Sequence, residues 1–180
     1  MTTGRFHLAQ INIARLRAPL DDPSMAEFVA NLGPINAVAD GSPGFVWRFQ
    51  DERGDATAVR PYDDERIVIN FSVWQDLAWL YDFVYRSAHA NVLRRRREWF
   101  ERLTGMSIAL WWVPAGYRPS IAEAMARLEH LERHGPSPHA FTFTQTYPAQ
   151  ESAFGERQTR LRSSNFGEAG FPTSNVEPGS

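Results

Sequence analysis

Residues 6–14 (FHLAQINIA) alternate in period two, with Ala9, Ile11 and Ile13 on one side and Leu8, Gln10 and Asn12 on the other, which predicts a strand. The period then lengthens. Met25, Phe28, Leu32, Ile35 and Val38 recur at helical spacing behind Asp22 and Pro23, an N-cap residue followed by a first-position proline. A helix is predicted over about 23–39, kinked at Pro34. Beyond the turn Gly41-Ser42-Pro43-Gly44, strands are predicted at 45–50 and 66–74, with a short edge strand at 56–60 between polar turns. Helical spacing returns at 76–86 (Leu77, Leu80, Tyr81, Val84 inward) and at 90–103 (Val92, Arg96, Trp99, Leu103 inward), broken at Ser87-Ala88-His89. Residues 107–113 (SIALWWV) read as a strand. Residues 121–134 read as a helix with a capping box from Ser120 and Glu123, and 141–147 as a further strand.

This order, β-α-β-β-α-β, predicts an α+β, ferredoxin-like antiparallel sheet with helices on one face and an appended C-terminal helix. The domain is expected to span 1–147. Residues 148–180, rich in Ser, Gly, Pro, Asn and Glu, read as a flexible or partner-docking tail. Ile67, Ile69, Phe71 and Val73 suit the helix-covered face. The opposite face (Leu8, Gln10, Asn12, Arg48, Asn70, Ser72, Trp74 and one of Trp111 or Trp112) mixes apolar and polar groups. Such a face suits a ligand cavity, and a second copy of the sheet is the simplest cover for it.

Composition narrows the chemistry. A net charge of -2 gives no electrostatic case for nucleic acid or a membrane surface. No apolar run reaches the roughly 18 residues of a membrane span, and residues 1–5 lack a secretory core, so a cytoplasmic protein is expected. There is no cysteine, which removes thiolate chemistry and cysteine-held zinc or haem. There is no lysine either, since all 19 basic residues are arginine; that removes Schiff-base and Walker-lysine chemistry.

The candidates that remain are few. His89, at the break between two helices, suits a general base or an axial ligand. Asn12 suits hydrogen bonding to a developing oxyanion, and Trp74 suits a cavity wall. Arg48 and Arg96 suit bidentate capture of a substrate carboxylate. Gln10, Asn70, Ser72, Tyr85 and Trp111 complete the predicted substrate-binding set. His130 and His134 are one helical turn apart without an evident third ligand, so no metal is expected, and His7 reads as structural.

Ser72-Val73-Trp74 at the strand end, Ser87-Ala88-His89 downstream and the element order resemble the dimeric α/β-barrel superfamily of antibiotic-biosynthesis and haem-degrading monooxygenases. Within it the chain resembles DUF3291. The residues that carry this are Phe6–Asn12, Pro43–Arg48, Phe83–His89, Arg94–Phe100 and Trp111–Gly116. The resemblance implies the fold and a homodimer. Relatives place an Asn, a Trp and a Tyr or His around the cavity, which Asn12, Trp74 and His89 match. His89 lies fifteen residues after Trp74, further than in the haem-degrading branch. The expectation is a cofactor-independent monooxygenase acting on an aromatic or polyketide-like molecule through an enolate or carbanion. An isomerase, cyclase or lyase, a haem protein with His89 as ligand, and a non-catalytic ligand-binding dimer are the alternatives.

Overall fold

The first strand, β1 (Phe6–Arg15), sits at the centre of the sheet because it pairs on both edges. On one side it runs antiparallel to β3 (Ile67–Trp74), from Leu8 opposite Trp74 to Arg15 opposite Ile67. On the other it pairs with β4 (Ile108–Pro114), from Phe6 opposite Pro114 to Asn12 opposite Ile108. Outside β3 lies β2 (Phe45–Arg48), giving the order β2-β3-β1-β4. Helix α1 (Ala26–Asp40) connects β1 to β2, and α2 (Leu77–Arg86) with α3 (His89–Trp99) connects β3 to β4. The chain therefore has the expected α+β, ferredoxin-like architecture, followed by α4 (Ile121–His134). The structure is a computed structural model describing residues 5–50 and 64–149. The predicted edge strand at 56–60 and nearly all of the predicted tail lie outside the described residues.

Element ends follow local chemistry, with corrections. Asp22 accepts from the Ser24 backbone N–H, but it caps a single 3₁₀ turn at Pro23–Met25, and the helix proper starts after it and runs through Pro34. Asp76 accepts from the Trp79 N–H (3.0 Å) and starts α2. The third helix ends at Trp99, short of the predicted 103, because Phe100 turns extended and bridges Leu16. Ser120 caps α4 through the Glu123 N–H. The Glu123 carboxylate does not complete the capping box; it accepts instead from Trp111 Nε1 (3.2 Å) and Tyr117 Oη (2.8 Å). The predicted last strand shrinks to one bridge, Phe141 with Leu110.

The predicted sidedness of the sheet is reversed. Ala9, Ile11, Ile13, Ile69, Phe71, Val73, Trp111 and Val113 form one core with Ala124, Leu128 and Leu131 of the appended α4. The mixed face, not this apolar one, carries α1, α2 and α3. Period two separates two faces but does not say which one the helices choose, and here both carry buried residues: Leu8, Ala9, Gln10 and Ile11 are all inside, while Asn12 is half-buried and Asn70 exposed in the gap of the mixed face. No second copy of the sheet is needed to cover the mixed face. Among the described residues no helix is long and apolar enough to cross a membrane.

Candidate functional site

On the helix side the core is interrupted. At one end Leu8, Trp74, Leu80, Phe83 and Leu110 pack together. At the other end Leu16, Met25, Phe28 and Trp99 do so, with Val68 and Val92 against them. Between these clusters the sheet presents Gln10, Asn12, Asn70 and Ser72, which are too polar for a dry core to close over them. The space above holds a cavity of about 660 Å³. Leu32, Ile35 and Asn36 of α1 line it from one side, and Val84, His89 and Val92 from the other.

Most of this floor is tied together. Trp74 Nε1 donates to Ser72 Oγ (2.9 Å), and Gln10 Nε2 donates to the same oxygen (3.1 Å) and to Asn70 Oδ1 (2.9 Å). Such cross-strand links are possible because Gln10 and Ser72 are register partners. Trp74 is fully buried, stacked on Phe83 (5.0 Å between centroids) and edge-on to Phe45 (5.4 Å). It lines the cavity, with its polar atom already satisfied. Asn12 and Asn36 differ: both line the cavity, half-buried, and neither amide has a hydrogen bond among the described residues.

His89 is the first residue of α3. Its backbone N–H donates to Ser87 Oγ (3.1 Å), and its ring lies 4.9 Å from Phe83. Nδ1 lies 3.2 Å from the Val84 carbonyl. A carbonyl only accepts, so Nδ1 carries the proton and Nε2 is the basic nitrogen. Burial lowers the imidazole pKa, partly opposed by the Val84 hydrogen bond, so the ring is neutral near pH 7.

The remaining predicted residues separate. Arg48 lines the cavity but is gripped by Asp40 at both ends of its guanidinium (2.7 and 3.1 Å). Arg96 is exposed rather than inward, donating to the Leu93 carbonyl at the rim. Tyr85, also at the rim, is exposed and packs on Tyr81 and Phe143. Trp111 is on the wrong face: its indole meets Glu123 beneath α4, and Trp112 is the one on the cavity side of the sheet. A bulge between Phe45 and Trp47 puts Phe45 beside Trp74 and leaves Trp47 and Phe49 on the α4 side, although strict alternation would place all three on one face. His130 stacks near His134 and His139, yet no group of described residues is arranged to hold a metal. Sequence reading missed Asn36 and Arg102. Asn36 was signalled by its spacing, a polar residue four after Leu32 and three before Ala39 on the buried stripe of α1.

The family model described as Domain of unknown function (DUF3291) matches residues 7–157. No curated protein matches the chain. Among solved structures it is similar to SnoaB, a cofactor-independent oxygenase from Streptomyces nogalater, with 16% identity, a TM-score of 0.42, and coverage of 65% of this chain and 98% of that one. It is also similar to PA3566 from Pseudomonas aeruginosa, with 15% identity, a TM-score of 0.43, and coverage of 67% and 100%. A third is a protein of unknown function from Nitrosomonas europaea, with 14% identity, a TM-score of 0.41, and coverage of 64% and 97%.

Proposed function

This chain belongs to the DUF3291 family, and we propose that its cavity is the active site of a cofactor-independent monooxygenase acting on an aromatic or polyketide-like molecule. The observation that carries the reading is His89. It is a neutral imidazole with Nδ1 fixed on a carbonyl, on the same cavity as the Asn12 amide, and among the described residues neither its Nε2 nor that amide has a hydrogen-bond partner. Nε2 takes a proton from a carbon made acidic by an adjacent carbonyl. The electron pair moves onto that carbonyl oxygen, where Asn12 Nδ2–H donates to the growing charge. The carbanion then reduces dioxygen. At a CH₂ centre one O₂ is consumed, a C=O forms and one water leaves, so no external reductant is required. Trp74, Phe83 and Val92 keep bulk water from the intermediate.

An oxygen electrode with an anthrone carboxylic acid as substrate tests this. We expect uptake of about one O₂ per molecule oxidised, and a loss of at least about 100-fold in His89→Ala, the range for removal of a general base. Substrate turnover without oxygen uptake would make the protein an isomerase, cyclase or lyase that stops at the enolate. Unchanged uptake in His89→Ala would sink the role of His89. A saturable Soret band on titration with haemin, abolished in the same variant, would assign His89 to haem instead. The homodimer implied by the family resemblance belongs to this proposal. It no longer draws support from an uncovered mixed face, and light scattering at the mass of one chain would remove it.

A further inference from the structure

The rim where α3 ends carries two guanidinium groups that no carboxylate among the described residues neutralises. Arg96 donates Nη1–H to the Leu93 carbonyl (3.0 Å), which occupies one donor and leaves the charge. Arg102, three residues beyond α3, lines the same cavity and makes no hydrogen bond or ion pair among the described residues. The other charged groups on the cavity are spent. Arg48 is held by Asp40 (2.7 Å), and Glu101 accepts from Arg15 (2.5 Å) and Arg66 (3.0 Å). Next along α3, Arg95 is clamped between Glu27 and Glu98 and leans over the Trp99 ring (4.8 Å). The cavity is therefore mainly apolar inside, with Leu32, Ile35, Val84 and Val92 on its walls, and positive at one rim.

We propose that the substrates of this site carry a carboxylate, which Arg96 and Arg102 hold at the rim while the apolar body lies along the cavity towards His89. Guanidinium offers planar paired donors that match a carboxylate, and its charge does not titrate in the working range. The anchor predicted from sequence, Arg48 with Arg96, is replaced: Asp40 already occupies Arg48, and the second cation comes from the segment after α3. The proposal rests on the reading of the cavity as a substrate site, but it says which substrates enter and in which orientation.

Isothermal titration calorimetry on the full chain tests it with two probes, 1-hydroxy-2-naphthoate and 1-naphthol, which share a ring system and differ by the carboxylate. The acid binds about tenfold tighter than the neutral compound, the worth of one charge-assisted contact. The preference shrinks as salt is raised. In the double variant Arg96→Gln/Arg102→Gln it falls to within about twofold. Both side chains are exposed, so the variant keeps the circular dichroism of the parent. Equal affinity for the two probes, or a preference that survives the double substitution, overturns the anion site and leaves the cavity as a binding site. Absence of saturable binding by either probe overturns the cavity reading and the anion site with it.

Discussion

Ser72 Oγ joins Trp74, Gln10 and, through Gln10, Asn70. Ser72→Ala would strand a fully buried indole N–H. A buried donor without a partner costs about 1–3 kcal/mol, so the urea midpoint drops although only one oxygen is lost. An unchanged midpoint would mean that the indole finds another acceptor. His89 couples the fold to pH. Burial holds its pKa below the ordinary 6.5, so above that value neither folded nor unfolded chain binds the proton. Below it the unfolded chain protonates first, and stability falls as pH drops from 6.5 through the lower folded value. Wild type should therefore lose stability relative to His89→Asn between pH 8 and pH 5, measured as the difference in denaturant midpoints. His7 and His130, whose pKa values burial also lowers, are common to both proteins and cancel. On the proposed role of His89 as base, the same shift predicts an acidic limb of the rate profile with its midpoint below 6.5.

Elements show where sequence reading succeeds and where it stops. Strands β1, β3 and β4 and the helical segments followed from period and capping, because those signals are local. Asn12, Gln10, Ser72, Asn70 and Trp74 line the cavity for the same reason, since alternation fixes which residues share a face, while His89 was marked by its place at the break between two helices. What alternation lacks is the partner of each face. Trp111 was lost to α4, and the bulge in β2 put Phe45 on the opposite side from Trp47, since both depend on long-range packing. Arg96 follows the inner stripe by spacing, but its side chain is long enough to carry the charge outward while the stem stays in contact. The turn into β2 makes a sharper prediction. Gly44 has φ +73°, and a Cβ there would sit 2.1 Å from Trp79 Cγ. Gly44→Ala should cost at least about 2 kcal/mol in thermal or urea unfolding, combining left-handed backbone with a clash against a helix side chain.

At the scale of the whole molecule the two faces of the sheet do different work. The α4 face is a continuous apolar core in which Phe71 stacks on Trp111 (5.9 Å) and Trp47 meets Phe71 edge-on (5.3 Å). The α1–α3 face is two clusters with a cavity between them, and the exposed Arg95–Glu27 ion pair ties α3 to α1 at the Phe28–Trp99 end. A pair this exposed is screened by solvent and adds little to stability. This division has a kinetic meaning. Amide protons of β1 and β3 lie against the continuous core and exchange with solvent only through global unfolding. Those of α3 are held by one end cluster and a helix with no side-chain cap at Ala88, so they are released by a smaller, local opening. Native-state hydrogen exchange should separate the two by several kcal/mol of opening free energy. On the proposed reading of the cavity as a substrate site, the same gap makes α3 the segment whose protection should rise first when substrate is added.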